Sequence, residues 1–211
     1  MGLSENELDA LEQIVETLGP FHRGDHLFRQ GDPSRALYVV RSGYIKASSV
    51  SSTGDEHVLG FYMFGELLGL ESITSDRKRC SAVILDTSMV CRLPFDDLSS
   101  ICTYIPTLQK QLFRLISQGL MTAEEHSLHR SADGRLATFL LDWGERLARN
   151  GFSAHQFTLP MSRQDIGSYL QIAPETVSRC FTRFEGEKWI ESTGHALNLT
   201  DITALTALRK S

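Results

Sequence analysis

Residues 161–184 read MSRQDIGSYLQIAPETVSRCFTRF, and this stretch decides the architecture. Ser162 and Asp165 have the spacing of a capping box, which predicts a helix starting at about Arg163. Gly167 is small enough to let a second helix cross closely. Gln171-Ile-Ala173 is a short turn, and Pro174 suits the first position of the next helix, where its missing N–H costs nothing. Two short helices joined by about three residues make a helix-turn-helix.

On a wheel of about 100° per residue, Val177, Cys180, Phe181 and Phe184 gather on one side of the second helix. Glu175, Ser178, Arg179 and Thr182 gather on the other. The first set anchors the helix, and the second is small, polar and able to hydrogen-bond base edges. Arginine can bond guanine O6 and N7 together, and glutamate can accept from cytosine N4. Glu175 and Arg179, at i,i+4, could equally pair with each other on a solvated face. Ser162 and Arg163, at the start of the first helix, complete the set of candidate DNA contacts. Residues 186–199 read as two short strands around Thr193-Gly194, placed like the wing of a winged helix.

Upstream, Ser131 is placed to cap a helix over about 133–149, with Leu136, Phe139, Leu140, Trp143 and Leu147 inward and Asn150-Gly151 as its stop. From Pro106 to about residue 130 the period is helical. Leu108, Leu112, Leu115 and Gly119 follow near-heptad spacing there. Such a helix can pack on its own domain or pair with its twin in a dimer, and both readings stand. Residues 20–95 alternate short β-branched and aromatic runs with turns such as Ser42-Gly43, Gly54-Asp55 and Gly65-Glu66, as in a sandwich, jelly roll or barrel. Residues 4–18 carry a Ser4/Glu7 capping box and an apolar stripe of Leu8, Leu11, Ile14, Val15 and Leu18, which predicts a helix. The expected domains are therefore a sensor barrel with its N-terminal helix over 1–104, a dimerisation helix over 105–131, and a winged helix-turn-helix over 132–211.

The 211 residues carry a net charge of −5, with 12 basic and 17 acidic groups in residues 1–131 and nine of each in 132–211. A DNA-binding face must therefore gather its positive charge locally. The start of the chain lacks the basic and apolar runs of a signal peptide, and no stretch approaches a membrane span, so a cytoplasmic protein is expected. Cys80, Cys91, Cys102 and Cys180 form no C-x-x-C pair and are read as free thiols. His22, His26 and His57 give no H-x-H pair of the kind a barrel metalloenzyme needs, and His126, His129 and Glu125 lack an evident third ligand. No P-loop or nucleophile elbow is present, and no enzyme activity is expected.

A barrel, a long helix and a C-terminal winged helix, in that order, resemble the CRP/FNR superfamily of bacterial transcription regulators over nearly the whole chain. The FNR branch is matched by Leu27-Phe-Arg-Gln-Gly-Asp32, Val40-Arg-Ser-Gly43, Gly54-Asp-Glu56, Gly60-Phe61, Thr87-Ser-Met-Val-Cys91, Pro94-Phe95, Arg149-Asn-Gly-Phe-Ser153 and, most specifically, Glu175-Thr-Val-Ser-Arg179. The resemblance implies an α+β protein with a jelly-roll, cyclic-nucleotide-binding-like domain. It implies a homodimer on double-stranded DNA, with Glu175, Ser178 and Arg179 reading a TTGAT half-site. It also implies that the turn holding Thr53, Gly54 and Asp55 is presented to RNA polymerase by activators, although an ordinary hairpin turn fits the same residues.

FNR-like oxygen sensors hold an iron–sulfur cluster on three N-terminal cysteines and one in the barrel. Cys91 matches the barrel ligand, while the sequence contains no matching N-terminal trio. Either the protein senses something else or this sequence is a shortened form; no cofactor is expected on the residues given, and the effector is unknown. The junction near Leu128–Arg135 is about three residues shorter than that branch leads one to expect. Cyclic-nucleotide-binding relatives use a Gly-Glu pair and an Arg followed directly by Ser or Thr. Gly65, Glu66, Arg79 and Ser81 resemble that effector pocket loosely, with Cys80 intervening. A sensor module that binds a small molecule without touching DNA is the alternative reading.

Overall fold

A computed structural model describes residues 12, 14–110, 112–117 and 131–209. The chain divides into two compact units, residues 1–121 and 122–211.

In the first unit six strands form one antiparallel sheet: β1 (Glu16–Phe21), β2 (His26–Phe28), β3 (Ala36–Val50), β4 (Glu56–Tyr62), β5 (Leu67–Leu68) and β6 (Ser81–Pro94). Their order is β1-β6-β3-β4, with β2 on β6 and β5 on β3. The sheet is jelly-roll-like and does not close into the expected barrel. Phe28, Val40, Ile45, Leu68, Ala82, Ile84 and Val90 fill one core cluster. Leu37, Leu67, Leu93, Leu98, Ile105 and Leu108 fill another, beside helix α1 (Phe95–Tyr104). Burying each large apolar side chain contributes roughly 1.5–3 kcal/mol.

Two expectations need correction here. The helix expected over 4–18 does not hold at its end, because Glu16–Phe21 is a strand on β6, with Thr17 opposite Cys91 and Leu18 opposite Val90. Val15 packs on the second core cluster, and Glu16 binds Arg92 across the strands at 2.8 Å, so an edge strand uses the apolar residues that suggested a helix. Leu8 and Leu11 lie outside the described residues. Ser42-Gly43 is not a turn: β3 runs through it with a bulge, and Gly43, at φ 81°, lies so close to β6 that a Cβ would meet Thr87 O at 2.4 Å. The runs 82–85 and 89–91 are likewise one continuous strand.

In the second unit, Ser131 Oγ accepts from Gly134 N at 3.0 Å and opens α2 (Ala132–Arg149). Leu136, Phe139, Leu140, Trp143 and Leu147 are buried along it, as their spacing predicts. Gly144 lets the following loop cross closely, since a Cβ there would meet Ala154 O at 2.0 Å. Helix α3 (Arg163–Leu170) and helix α4 (Pro174–Gly186) follow. The wing is β8 (Ile190–Thr193) and β9 (Ala196–Leu199), to which the short β7 (Gln156–Thr158) adds a third strand. Helix α5 (Ile202–Arg209) packs on α2, where Arg209 binds Glu145 at 3.1 Å.

Candidate nucleic-acid interface

The capping box expected at Ser162 is complete: Asp165 N donates to Ser162 Oγ at 3.0 Å, and Ser162 N donates to Asp165 Oδ2 at 3.1 Å. Gln171 ends α3 in the left-handed region, at φ 56°. Gly167 is needed for the turn back, because a Cβ would lie 2.8 Å from Ile172 O. Arg135 of α2 donates to Leu170 O at 2.9 Å and so satisfies a carbonyl that the end of α3 leaves open. The turn is thereby held from three directions, and α4 leaves it with Pro174 in its first turn.

Helix α4 buries Val177, Cys180, Phe181 and Phe184 and exposes Glu175, Ser178, Arg179 and Thr182. The two faces are those the wheel predicts. Ser178 Oγ donates to Pro174 O at 3.1 Å and Thr182 Oγ1 to Ser178 O at 3.2 Å, so each hydroxyl keeps lone pairs to offer outward. The Arg179 guanidinium donates to Thr176 Oγ1 at 3.0 Å. Among the described residues no ion pair joins Glu175 to Arg179. The choice left open by the i,i+4 spacing thus falls on the side of two separate polar groups.

The other two candidates are engaged inside the unit. The Arg163 guanidinium carbon lies 3.2 Å from the centre of the Phe181 ring, and burial lowers its pKa while Glu185 opposes that shift. The Ser162 hydroxyl donates to Asp165 Oδ2 at 2.7 Å. Both residues line a cavity of about 210 Å³ between the start of α3 and the wing, along with Ser192 and His195. His195 holds the wing there through its ring Nδ1, 2.9 Å from Leu159 O. Sequence reasoning missed Ser192 and His195, since neither belongs to a motif.

In the first unit the residues that resemble an effector pocket also make turn and strand contacts. Gly65 N donates to Val40 O at 2.9 Å, and Glu66 Oε2 accepts from Met63 N at 3.1 Å, which makes the pair a turn between strands. Arg79 is exposed, with its backbone N–H on Ser72 Oγ, and Ser81 Oγ accepts from Gln30 N at 3.0 Å. The buried cation of this region is Lys78, only 2% exposed. Its ammonium donates to Ala36 O at 2.9 Å and stands 4.7 Å from the centre of the Phe28 ring and 5.2 Å from that of Tyr38. Burial lowers its pKa, against the pull of Glu71 and Cys80.

The turn with Thr53, Gly54 and Asp55 is an exposed hairpin tip: Gly54 N donates to Ser51 O, and Thr53 Oγ1 donates to Asp55 Oδ2 at 2.7 Å. Residues 106–110 and 112–117 are helical. Leu108 is buried in its own unit and Leu112 packs on the same cluster, as the own-domain reading of this helix expects. The exposed apolar side chains are instead Phe113 and Leu115, with Tyr104 before them. Gly119 lies outside the described residues.

Among the described residues no three His, Cys, Asp or Glu side chains are grouped to hold a metal. Cys80 and Cys91 are eleven residues apart along the extended β6 region, on the order of 30 Å. The Cys80 thiol donates to Glu71 at 3.3 Å and is pushed up to about 12 by burial and that carboxylate. Cys180 lies in the other unit, pushed up to about 11 by burial and Asp133.

Comparison with known proteins agrees with this geometry. Residues 18–104 match the cyclic nucleotide-binding domain and residues 134–208 the Crp-like helix-turn-helix domain. The chain is 40% identical to the transcriptional activator protein Anr of Pseudomonas protegens, over 99% of this chain and 86% of that one. It is 37% identical to electron transport regulator A of Shewanella oneidensis, over 98% and 84%. Among solved structures it superimposes on FixK2 from Bradyrhizobium japonicum with a TM-score of 0.80 at 26% identity, covering 92% of this chain and 96% of that one. No helix among the described residues is long and apolar enough to cross a membrane.

Proposed function

The chain belongs to the CRP/FNR family of transcription regulators, and from that premise we propose that it works as a homodimer in which α4 of each protomer reads one half of a TTGAT-like palindrome. The observation that carries this reading is the outward face of α4. Glu175, Ser178, Arg179 and Thr182 are exposed together on a helix whose opposite face is buried, and among the described residues Arg179 is tethered only to a neutral hydroxyl. Such a guanidinium can leave Thr176 for a guanine edge without stranding a charge. Ser162, Arg163 and the wing residues beside them form the flank of that face and suit a backbone phosphate. Competition binding between the palindrome and single-base variants tests the reading. A sensor that never touches DNA would leave this polar face without a role.

The protein acts in the cytoplasm as a regulator rather than an enzyme, and extracts assayed for the chain after fractionation would locate it. The hairpin tip at Thr53, Gly54 and Asp55 meets RNA polymerase. Gly54 sits at φ 90°, a conformation a side chain strains, so the test uses Thr53→Arg, which changes the exposed tip, loses the Thr53 hydroxyl bond to Asp55 and keeps the backbone bonds of Gly54 and Ser51 that close the turn. Transcription in vitro should fall several-fold while operator binding is unchanged; equal loss of both would mean that the change only damages the fold. The regulator carries no iron–sulfur cluster. Protein prepared without oxygen should be colourless, with no stoichiometric iron or sulfide, and matched iron and sulfide with visible absorption would contradict this.

A further inference from the structure

Two basic side chains lie on the exposed face of α4, Arg179 and, one turn later, Arg183. They are held very differently. Arg179 donates to the neutral Thr176 hydroxyl. Arg183 is ion-paired to Asp133, in the first turn of α2, and its guanidinium also reaches Cys180 Sγ at 3.7 Å. The Arg183 side chain is 52% exposed, but Asp133 is only 24% exposed. The Asp133 carboxylate, after burial itself, also pushes up the pKa of the buried Cys180 thiol. If Arg183 turned to a phosphate it would leave a half-buried carboxylate without its counter-ion.

Residues 132–211 carry equal numbers of basic and acidic groups, so each cation on the DNA-facing side weighs heavily. We infer that Asp133 withholds Arg183 from the DNA backbone and thereby sets the sequence-independent part of the affinity. Asp133 is a positioning residue in this account, acting on DNA only through Arg183. The inference rests on the DNA-reading role proposed for α4.

The two sides of the pair predict opposite results. Asp133→Asn frees a cation. It should tighten random and palindromic duplexes alike, on the order of fivefold at 0.1 M salt, and steepen the dependence of log affinity on log salt by about 0.9 for each protomer engaged. Arg183→Gln breaks the same pair without freeing a cation, and should leave affinity and salt slope at the wild-type values. The double variant Asp133→Asn/Arg183→Gln should return to wild type, which separates release of Arg183 from mere loss of a negative charge. Asp133→Ser, which keeps a small polar side chain at the helix start, repeats the test if the Asn variant fails to fold. A shallower slope and weaker binding for Arg183→Gln alone would overturn the inference, because Arg183 would already be on a phosphate. Unchanged binding by Asp133→Asn would overturn it as well. A wild type that binds neither duplex contradicts the DNA-binding role itself, whereas a wild type that binds and is matched by Asp133→Asn contradicts only this inference.

Discussion

Arg163, Arg179 and Lys78 show how far surroundings decide what a cation does. Arg163 lies flat on Phe181 and helps join α3 to α4, while Arg179 reaches outward from the same helix pair. The difference was hidden in the sequence, because stacking depends on how two helices cross and not on spacing within either. Lys78 is the stronger case, since a lysine flanked by Arg77 and Arg79 reads as a solvated basic run, yet it is the buried one. Its ammonium closes the segment after β5 onto β3 through Ala36 O and sits among the Phe28, Tyr38 and Phe95 rings. Lys78→Ala removes that bond and those ring contacts and leaves a void, which should cost roughly 2–4 kcal/mol of stability. Urea denaturation measures the loss, and an unchanged midpoint would show that the burial is incidental.

At the scale of elements, those with local signals were readable in advance. The capping box, Pro174 and the apolar stripe of α4 are contained within a few residues, and the structure places all of them as their spacing predicts. The long strands β3 and β6 were read as fragments because Gly43 and its neighbours look like turn residues. Only the approach of β6 shows that Gly43 serves a bulge. β1 was mistaken for the end of a helix for a related reason: an edge strand and a helix end can share one apolar pattern, and pairing with β6 decides between them. β7, three residues long, and α5 carried too little pattern to be identified. The helical residues 106–110 and 112–117 divide their apolar side chains, with Leu108 and Leu112 on the core cluster beside the sheet and Phe113 and Leu115 outward. If the outward pair forms the dimer contact, Phe113→Glu with Leu115→Glu should give a folded monomer in sedimentation velocity. A double variant that still sediments as a dimer would place the contact elsewhere.

For the whole molecule, the order of a jelly-roll-like sheet, a helical segment and a winged helix-turn-helix was readable from where the hydrophobic period changes. The sensor's ligand was not, since Gly65, Glu66, Arg79 and Ser81 match a nucleotide pocket only loosely in sequence, and each also serves a turn or strand contact. The two faces of α4, one of them proposed to read DNA, were readable because they depend on one helix alone. Its sequence preference also gives the most direct test of the account, since a palindrome engages two copies of that helix at once. Arg179 can make two hydrogen bonds to the guanine of TTGAT, worth roughly 1–3 kcal/mol of discrimination, on the order of tenfold to a hundredfold. The decisive measurement is competition binding by Arg179→Ala at one fixed salt concentration, with the palindrome and a variant in which that guanine is replaced. The side chain is exposed and opposite the buried Val177, Phe181 and Phe184, so the variant should stay folded. The variant should bind both duplexes equally, whereas wild type prefers the palindrome. If Arg179→Ala keeps the wild-type order of preference, α4 is not the reader, and the central claim is wrong.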